Sequence, residues 1–475
     1  MLRGFVLLTG VLTLGAAFAF AQIAPIIDAV KSGKVAAVQA LIKQRADVNA
    51  AEADGTTALH WAARADNLEM ARALMRAGAD VKRANRYGIT ALQLAAVNGS
   101  TPMVKALVDA GADVNAVLPE GETILMTAAR TGRPEVVQIL LAAGANVDER
   151  SAAETYRRRS GQSVMPLGSW TPLMNAARQN AIEAGKTLAA KRANLDLVDP
   201  DGATALVIAI INANYDFAAM LLDAGADPNI VDKDAAMGPL YAAADMHRLA
   251  VGHGRPNPRP SGALDAVEIV KRLLEKKADP NQKLKAVIMQ RQHTQGDGTL
   301  GAGATPLMRA AKSGDIAIVR LLLGAGADPK ATLANGTTTL MLASGLGWRD
   351  GSPAAPSYDQ GTPEEAVATI ELLLTRGLDI NATNTTGDSA LHAAISARAS
   401  PEIVKALVER KANLNVPNKR GQTPLAIAQR SNKDMSRIMP ILQAAGAQAP
   451  PPGPAPAGIA QPAPQAPASA APAEP

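Results

Sequence analysis

A segment of the form Thr-Ala-Leu-His-Trp-Ala-Ala, at residues 57–63, returns ten times along this chain of 475 residues. Each copy is followed some twenty residues later by Ala-Gly-Ala-Asp-Val-Asn or a close variant. The anchoring leucines are Leu59, Leu92, Leu125, Leu173, Leu206, Leu240, Leu307, Leu340, Leu391 and Leu425, and most neighbours lie 33 or 34 residues apart. A fixed period of that length restricts the chain to architectures in which one small supersecondary unit is stacked on the next.

Each copy dictates its own local structure. In Thr171-Pro172-Leu173, Thr305-Pro306-Leu307 and Thr423-Pro424-Leu425 a hydroxyl is placed to cap a helix, and proline occupies the first turn, where its missing N–H costs nothing. Paired alanines follow, such as Ala62-Ala63, Ala95-Ala96, Ala128-Ala129, Ala176-Ala177 and Ala310-Ala311, small enough to let helices approach closely. A second apolar stretch with leucines at helical spacing, as in residues 135–141, then stops at glycine. Gly78, Gly111, Gly144, Gly225 and Gly326 stand where a helix end wants a left-handed residue. Arg45, Arg192, Lys277 and Lys411 replace glycine in four copies, which predicts weaker caps offset in part by a cation at the negative end of the helix dipole.

A 33-residue period with a Thr-Pro-Leu start resembles the ankyrin repeat, a β-turn followed by two helices. The resemblance implies an all-α fold with short β-turn or hairpin fingers, an ankyrin-repeat solenoid of about eleven units over residues 22–447. Residues 22–44 supply a first helix pair without the Thr-Pro-Leu start, and residues 422–446 read as a polar closing unit. No helix pair of this size buries its own apolar face, so stability comes from stacking.

Outside the array, residues 1–21 read as a secretory signal: Arg3 gives the positive start, residues 5–20 the apolar run, and Ala19-Phe20-Ala21 the cleavage pattern. Export to the periplasm or beyond the cell is expected, with no stable membrane insertion after cleavage; composition does not choose between the two destinations. The alanine, glycine and proline bias beside such a leader is of bacterial type. Cysteine is absent, which excludes disulfides, thiolate metal sites and a catalytic thiol. Residues 448–475 are rich in proline and alanine, with Ile459 the one large apolar side chain, too little to offset the entropy of ordering, so a disordered tail is expected.

Four insertions lengthen the period, near residues 149–168, 245–262, 283–303 and 345–362. The first carries Arg157, Arg158 and Arg159; the last carries Trp348 and Tyr358. The first and third fall in β-turn connections, the second and fourth between the helices of one repeat. Insertions in repeat arrays map to loops, either tolerated growth or part of a binding face. Trp170 and Trp348 accordingly read as interface anchors or as pins that hold the loops to the array.

The resemblance also implies a concave face made by the two residues after each pair of small residues. These are Arg64-Ala65, Val97-Asn98, Arg130-Thr131, Arg178-Gln179, Ile211-Asn212, Asp245-Met246, Lys312-Ser313, Gly345-Leu346, Ser396-Ala397 and Arg430-Ser431. Five carry a positive charge and one a negative charge. Arg64, Arg130, Arg178 and Lys312, with Arg157, Arg158, Arg159 and Trp348 from the insertions, are thus the expected partner-binding residues, and they suit an acidic surface.

Catalytic chemistry finds no support in the residues. His60 and His392 hold the repeat's own structural position, while His247, His253 and His293 match no metal-ligand spacing. Gly298–Gly303 lacks the lysine of a phosphate loop, and Asp232 and Asp234 do not continue into a calcium loop. No cofactor, metal or catalytic residue is expected. Nucleic acid is a poor target for an exported chain with a formal net charge of only +5 and few aromatics. The expectation is a monomeric, non-catalytic scaffold that binds another protein; the alternative is a binder of an anionic cell-envelope polymer.

Overall fold

The 33-residue period translates into pairs of short antiparallel helices. The computed structural model describes residues 24–156, 165–248, 258–288, 297–346, 361–397, 400–431 and 435–448. The expected leader, the loop with Arg157, Arg158 and Arg159, the segment with Trp348, His253 and His293, and nearly all of the proline-rich tail lie outside these residues. Among the described residues there are 22 helices in eleven consecutive pairs, from α1 (Pro25–Lys31) and α2 (Val35–Lys43) to α21 (Pro424–Arg430) and α22 (Met439–Ala444). None is long and apolar enough to cross a membrane.

The chain divides into two compact units, residues 1–233 with 259–265, and residues 234–258 with 266–475. In the first, the inner helices are α3 (Ala58–Arg64), α5 (Ala91–Asn98), α7 (Ile124–Thr131), α9 (Pro172–Arg178) and α11 (Ala205–Ile211), each packed on the next. Their outer partners α4 (Leu68–Arg76), α6 (Thr101–Asp109), α8 (Pro134–Ala142), α10 (Ile182–Ala190) and α12 (Tyr215–Asp223) form a second layer. In the second unit the inner layer is α13 (Pro239–His247), α15 (Pro306–Lys312), α17 (Thr339–Ala343), α19 (Ala390–Ala397) and α21, backed by α14 (Ala266–Glu275), α16 (Ile316–Gly324), α18 (Pro363–Thr375), α20 (Pro401–Glu409) and α22.

Small residues make the inner layer possible. Ala62, Ala63, Ala95, Ala96, Ala128 and Ala129 are fully buried, beside the anchoring leucines. Each buried leucine contributes about 1.5–3 kcal/mol of apolar transfer. Gly185 takes the same role in α10: a Cβ there would stand 2.6 Å from the Phe217 ring. The threonines cap as their sequence context predicts, with Thr171, Thr305 and Thr423 accepting the N–H of Met174, Met308 and Ala426. At the outer helix ends, Gly78, Gly111, Gly144, Gly225 and Gly326 are left-handed, and so are Arg45, Arg192, Lys277 and Lys411, with φ between 60° and 67°. Those four repeats therefore carry the steric cost of a Cβ in that region.

The asparagine that ends the Ala-Gly-Ala-Asp-Val-Asn segment has a structural reason. The amides of Asn49 and Asn115 donate to the carbonyls of Gly78 and Gly144 in the following repeat, at 3.0 and 3.1 Å. Their oxygens accept the N–H of Asp80 and Asn146. Asn281 does the same for Gly326 and Asp328 in the second unit. One side chain thus satisfies an orphan carbonyl at the end of its neighbour's helix and fixes the next turn. The turns themselves close through isolated bridges such as Ala51 with Thr57 and Val117 with Thr123.

Two insertions add structure to this frame. The one near residues 149–168 forms an antiparallel hairpin, β1 (Ala153–Tyr156) with β2 (Met165–Gly168), in register from Ala153 opposite Gly168 to Tyr156 opposite Met165. The one near 283–303 is more than a loop: Leu284, Ile288 and Leu300 are buried in a cluster with Tyr241, Met308, Leu333 and Leu342.

His60 and His392 are buried hydrogen-bonding residues. In each, Nδ1 accepts a backbone N–H, from Thr57 or Ser389, which leaves the proton on Nε2 to donate to a carbonyl of the next repeat, Ile89 or Gln422. Burial pushes both rings below the usual imidazole pKa, against the opposing pull of those carbonyls. The unfolded chain takes up protons as pH falls through about 6.5 while the folded chain resists, so the stability held above about pH 7 drains away between 6.5 and the depressed folded value. Glutamine already fills this position at Gln93. Replacing His60 and His392 by glutamine should flatten the fall in melting temperature between about pH 7 and 5.5; an unchanged slope would show that these rings do not carry the sensitivity.

Candidate functional site

The C-terminal ends of the inner helices in the first unit present the residues singled out in the sequence. Arg64, Val97, Arg130 and Arg178 are exposed at the ends of α3, α5, α7 and α9, with Val97 retaining 52 % of its surface. The backbone beneath two of them is clamped by the neighbouring repeat. The Asn98 amide donates to the carbonyls of Ala63 and Arg64, at 3.0 and 3.1 Å, and the Asn214 amide does the same for Ala177 and Arg178, at 2.8 and 3.0 Å. Orphan carbonyls at a helix end are thereby satisfied, and the arginine stems start from fixed points.

The three arginines then differ in environment. Arg64 lies over the Trp61 ring at 5.3 Å, and Trp61 is held by a 2.7 Å hydrogen bond from its indole N–H to Glu52. Lys31 approaches the same ring at 4.4 Å and pairs with Glu52. Arg178 lies over the Trp170 ring at 5.4 Å, and Trp170 is close enough to Asp199 to favour its charged form. Burial pushes the Asp199 carboxyl above its usual pKa, resisted by the backbone N–H groups of Ala203, Asp201 and Gly202 and by Trp170. Each cation–π contact at such a surface contributes about 0.5–1 kcal/mol. Arg130 has no ring beneath it; its guanidinium is 3.0 Å from Glu122, which also accepts the Thr127 hydroxyl at 2.8 Å. Among the described residues neither Arg64 nor Arg178 has a carboxylate partner.

The second unit corrects the expectation for Lys312. The residue is 3 % exposed and its ammonium lies against Asp297 from the insertion near 283–303, so it joins no accessible basic row. Asp245 is likewise turned inward, where its carboxylate meets Arg309 at 2.5 Å. Arg309, 1 % exposed, also donates to the carbonyls of Asp245 and Arg248, and thereby closes the end of α13 where the insertion near 245–262 departs. His247, weighed in the sequence as a metal ligand, instead places Nδ1 2.5 Å from Asp315, the buried N-cap of α16. No group of three metal-ligating side chains occurs among the described residues. Arg248 reaches Glu365 at the start of α18, at 2.7 Å. Burial alone would push the Glu365 carboxyl up, but the Thr362 N–H and the Arg248 guanidinium outweigh it and hold it below the usual range.

Sequence reasoning missed the contacts of Arg309, His247 and Arg248 because their partners are 61 to 117 residues apart. One signal was present. Arg309 fills the position held by Leu94, Thr127, Asn175, Ile208, Ala242, Leu342, Ala393 and Ile427 in other repeats, and a charge between Met308 and Ala310 needs a buried partner. Trp61 as a platform was also missed, although Trp61 and Arg64 stand three residues apart on one helix face.

Arg309→Met should destabilise the protein by about 3–5 kcal/mol in urea titration, because Asp245 is left buried and unpaired. Adding Asp245→Leu should recover most of the loss. A single variant as stable as the parent would show that the pair does not hold the end of α13.

The match to known proteins follows this architecture. A family model described as ankyrin repeats in three copies matches residues 21–85, 78–151, 158–232, 262–350 and 364–447. The palmitoyltransferase Hip14 of Drosophila melanogaster is 33 % identical over 141 residues, covering 26 % of this chain and 22 % of that protein. An ankyrin repeat protein of fowlpox virus (strain NVSL) is 32 % identical over 139 residues, covering 28 % of this chain and 36 % of its own length. The matched stretch therefore spans about a fifth and about a third of these two relatives. The crystal structure of the human ASB11 ankyrin repeat domain aligns with 54 % of this chain and 99 % of its own, at 23 % identity and a TM-score of 0.41.

Proposed function

This chain belongs to the ankyrin-repeat family, and on that premise we propose that it is a non-catalytic scaffold that binds an acidic partner protein through the inner-helix ends of its first unit. The family as a whole serves protein–protein interaction, and the particular face is the part proposed here. One observation carries it: Arg64, Arg130 and Arg178 are exposed at equivalent positions of three inner helices, with the apolar Val97 among them. Cations aligned in that way speed encounter with an acidic surface, and arginine beside aromatic and aliphatic groups is the composition of interface hot spots. The chemistry named for the fly relative belongs to a protein of which the alignment covers 22 %, so it supplies no activity for this chain.

We further propose that the protein is exported, on the strength of Arg3, the apolar run at 5–20 and the Ala19-Phe20-Ala21 pattern. The scaffold then acts as a monomer outside the cytoplasm.

Affinity capture from the exported fraction, with mass spectrometry, supplies the partner. Arg64→Glu with Arg178→Glu should slow association with it by about tenfold or more at low salt, an effect that shrinks as salt screens the field. Reversal of Arg72 and Arg76 on the outer helix α4 should do little. Equal loss from both pairs would mean that net charge alone matters, as for an anionic envelope polymer, and no loss from either would remove the binding site from this face.

A further inference from the structure

Of the three exposed arginines on this face, the two that have no carboxylate partner among the described residues share a construction that the third does not. Arg64 and Arg178 each lie over an indole ring, at 5.3 and 5.4 Å; the Trp61 ring is anchored through its N–H to Glu52 of a β-turn finger, and the Trp170 ring lies beside Asp199 of another. A guanidinium held over a ring has already lost much of its rotamer freedom, and at Arg64 and Arg178 no carboxylate among the described residues occupies its N–H groups. That is the arrangement that receives a carboxylate through two parallel hydrogen bonds at low entropic cost. The Asn98 and Asn214 amides fix the backbone under both arginines, so stem and ring are positioned together. Arg130 is the contrast, since its guanidinium already satisfies Glu122.

We propose that Arg64 on Trp61 and Arg178 on Trp170 are two prepared carboxylate clamps, and that the partner docks an extended acidic polypeptide segment across both. This deepens the reading of the same face and rests on it. The spacing sets the length of the segment. From α3 to α9 there are three helix-to-helix steps, through α5 and α7. At about 8–10 Å per step the clamps lie roughly 25–30 Å apart. An extended chain rising about 3.3 Å per residue crosses that gap with about eight or nine residues. Val97, exposed on the intervening helix α5, offers an apolar contact to a side chain of the segment.

A polypeptide fits better than a phosphate polymer. Glu52 accepts the Trp61 indole N–H, Asp199 lies beside Trp170, and Glu122 accompanies Arg130 between them. Carboxylates spaced along the face divide its positive field into separate sites, which suits spaced carboxylates and opposes a continuous line of phosphates. An apolar contact at Val97 has no use for such a polymer.

The test uses the full chain with two fluorescent glutamate peptides, of about 12 and about 4 residues, read by anisotropy and by tryptophan emission. The longer peptide spans both clamps and should bind at least about tenfold tighter than the shorter, with a change in indole emission as the guanidinium edges are occupied. Arg64→Lys with Arg178→Lys keeps the charge and removes the planar fork, so it should abolish that advantage, while Arg72→Lys with Arg76→Lys should leave it intact. Equal binding of the two lengths, or lysine variants that bind like the parent, would overturn the clamps while leaving the basic face in place. Stronger binding of inorganic polyphosphate than of the long peptide would overturn the choice of a polypeptide. The charge-reversal experiment with the captured partner fails separately, since it asks only whether this face is used.

Discussion

Close contact between successive inner helices is the constraint on which everything else in this protein depends. Ala62, Ala63, Ala95, Ala96, Ala128 and Ala129 have no surface left to solvent, because each pair of helices is too small to bury its apolar stripe without a neighbour. The alanines set the approach, the threonines cap the helices that approach, and the finger asparagines sew one repeat to the next at Gly78, Gly144 and Gly326. A surface is the by-product. Stacking brings the last turn of each inner helix to an equivalent position, and the residues there decide what the face can bind.

The two units use several of those equivalent positions in opposite ways, although Arg430 of the second unit also stays exposed. In the first, arginines remain outside and are organised by Trp61 and Trp170. In the second, Asp245 and Lys312 at corresponding positions are turned inward onto Arg309 and Asp297. Those inward pairs sit where the second and third insertions leave and rejoin the array. Removing charges from water costs several kcal/mol per ion unless they are paired and hydrogen-bonded. Arg309 meets that condition through Asp245 and two carbonyls, which gives the departing chain a fixed point of exit. The face available for recognition is accordingly read from the first unit.

The fold was legible in the sequence because the repeat encodes local chemistry many times over. Thr171, Thr305 and Thr423 cap as their context predicts, and the substitutes Arg45, Arg192, Lys277 and Lys411 take the left-handed conformation that their places demand. Met126, Met174, Met308 and Met341 are core, as a residue between repeats must be. The site was legible only as a pattern of positions. Arg64, Arg130 and Arg178 are indeed exposed, but Trp61 lies on the same helix as Arg64 while Glu122 and Trp170 come from fingers, and a period says which residues are equivalent, never what lies beside each. Lys312 failed for that reason: Asp297 belongs to an insertion, which no repeat pattern describes. The same insertion buries Leu284, Ile288 and Leu300, so part of what reads as extra loop is core.

Stacking that acts only between neighbours has a direct signature in hydrogen exchange. Ala129, fully buried in α7 against α5 and α9, cannot accept a larger side chain without pushing those helices apart. Ala129→Leu should cost about 1–3 kcal/mol by overpacking. Native-state exchange should show lost amide protection concentrated in α5, α7 and α9, with α1 to α3 close to the parent. Uniform loss of protection from α1 to α12 would contradict the account, because it would make the first unit one interdependent globule and its exposed arginines features of that globule rather than of a stack.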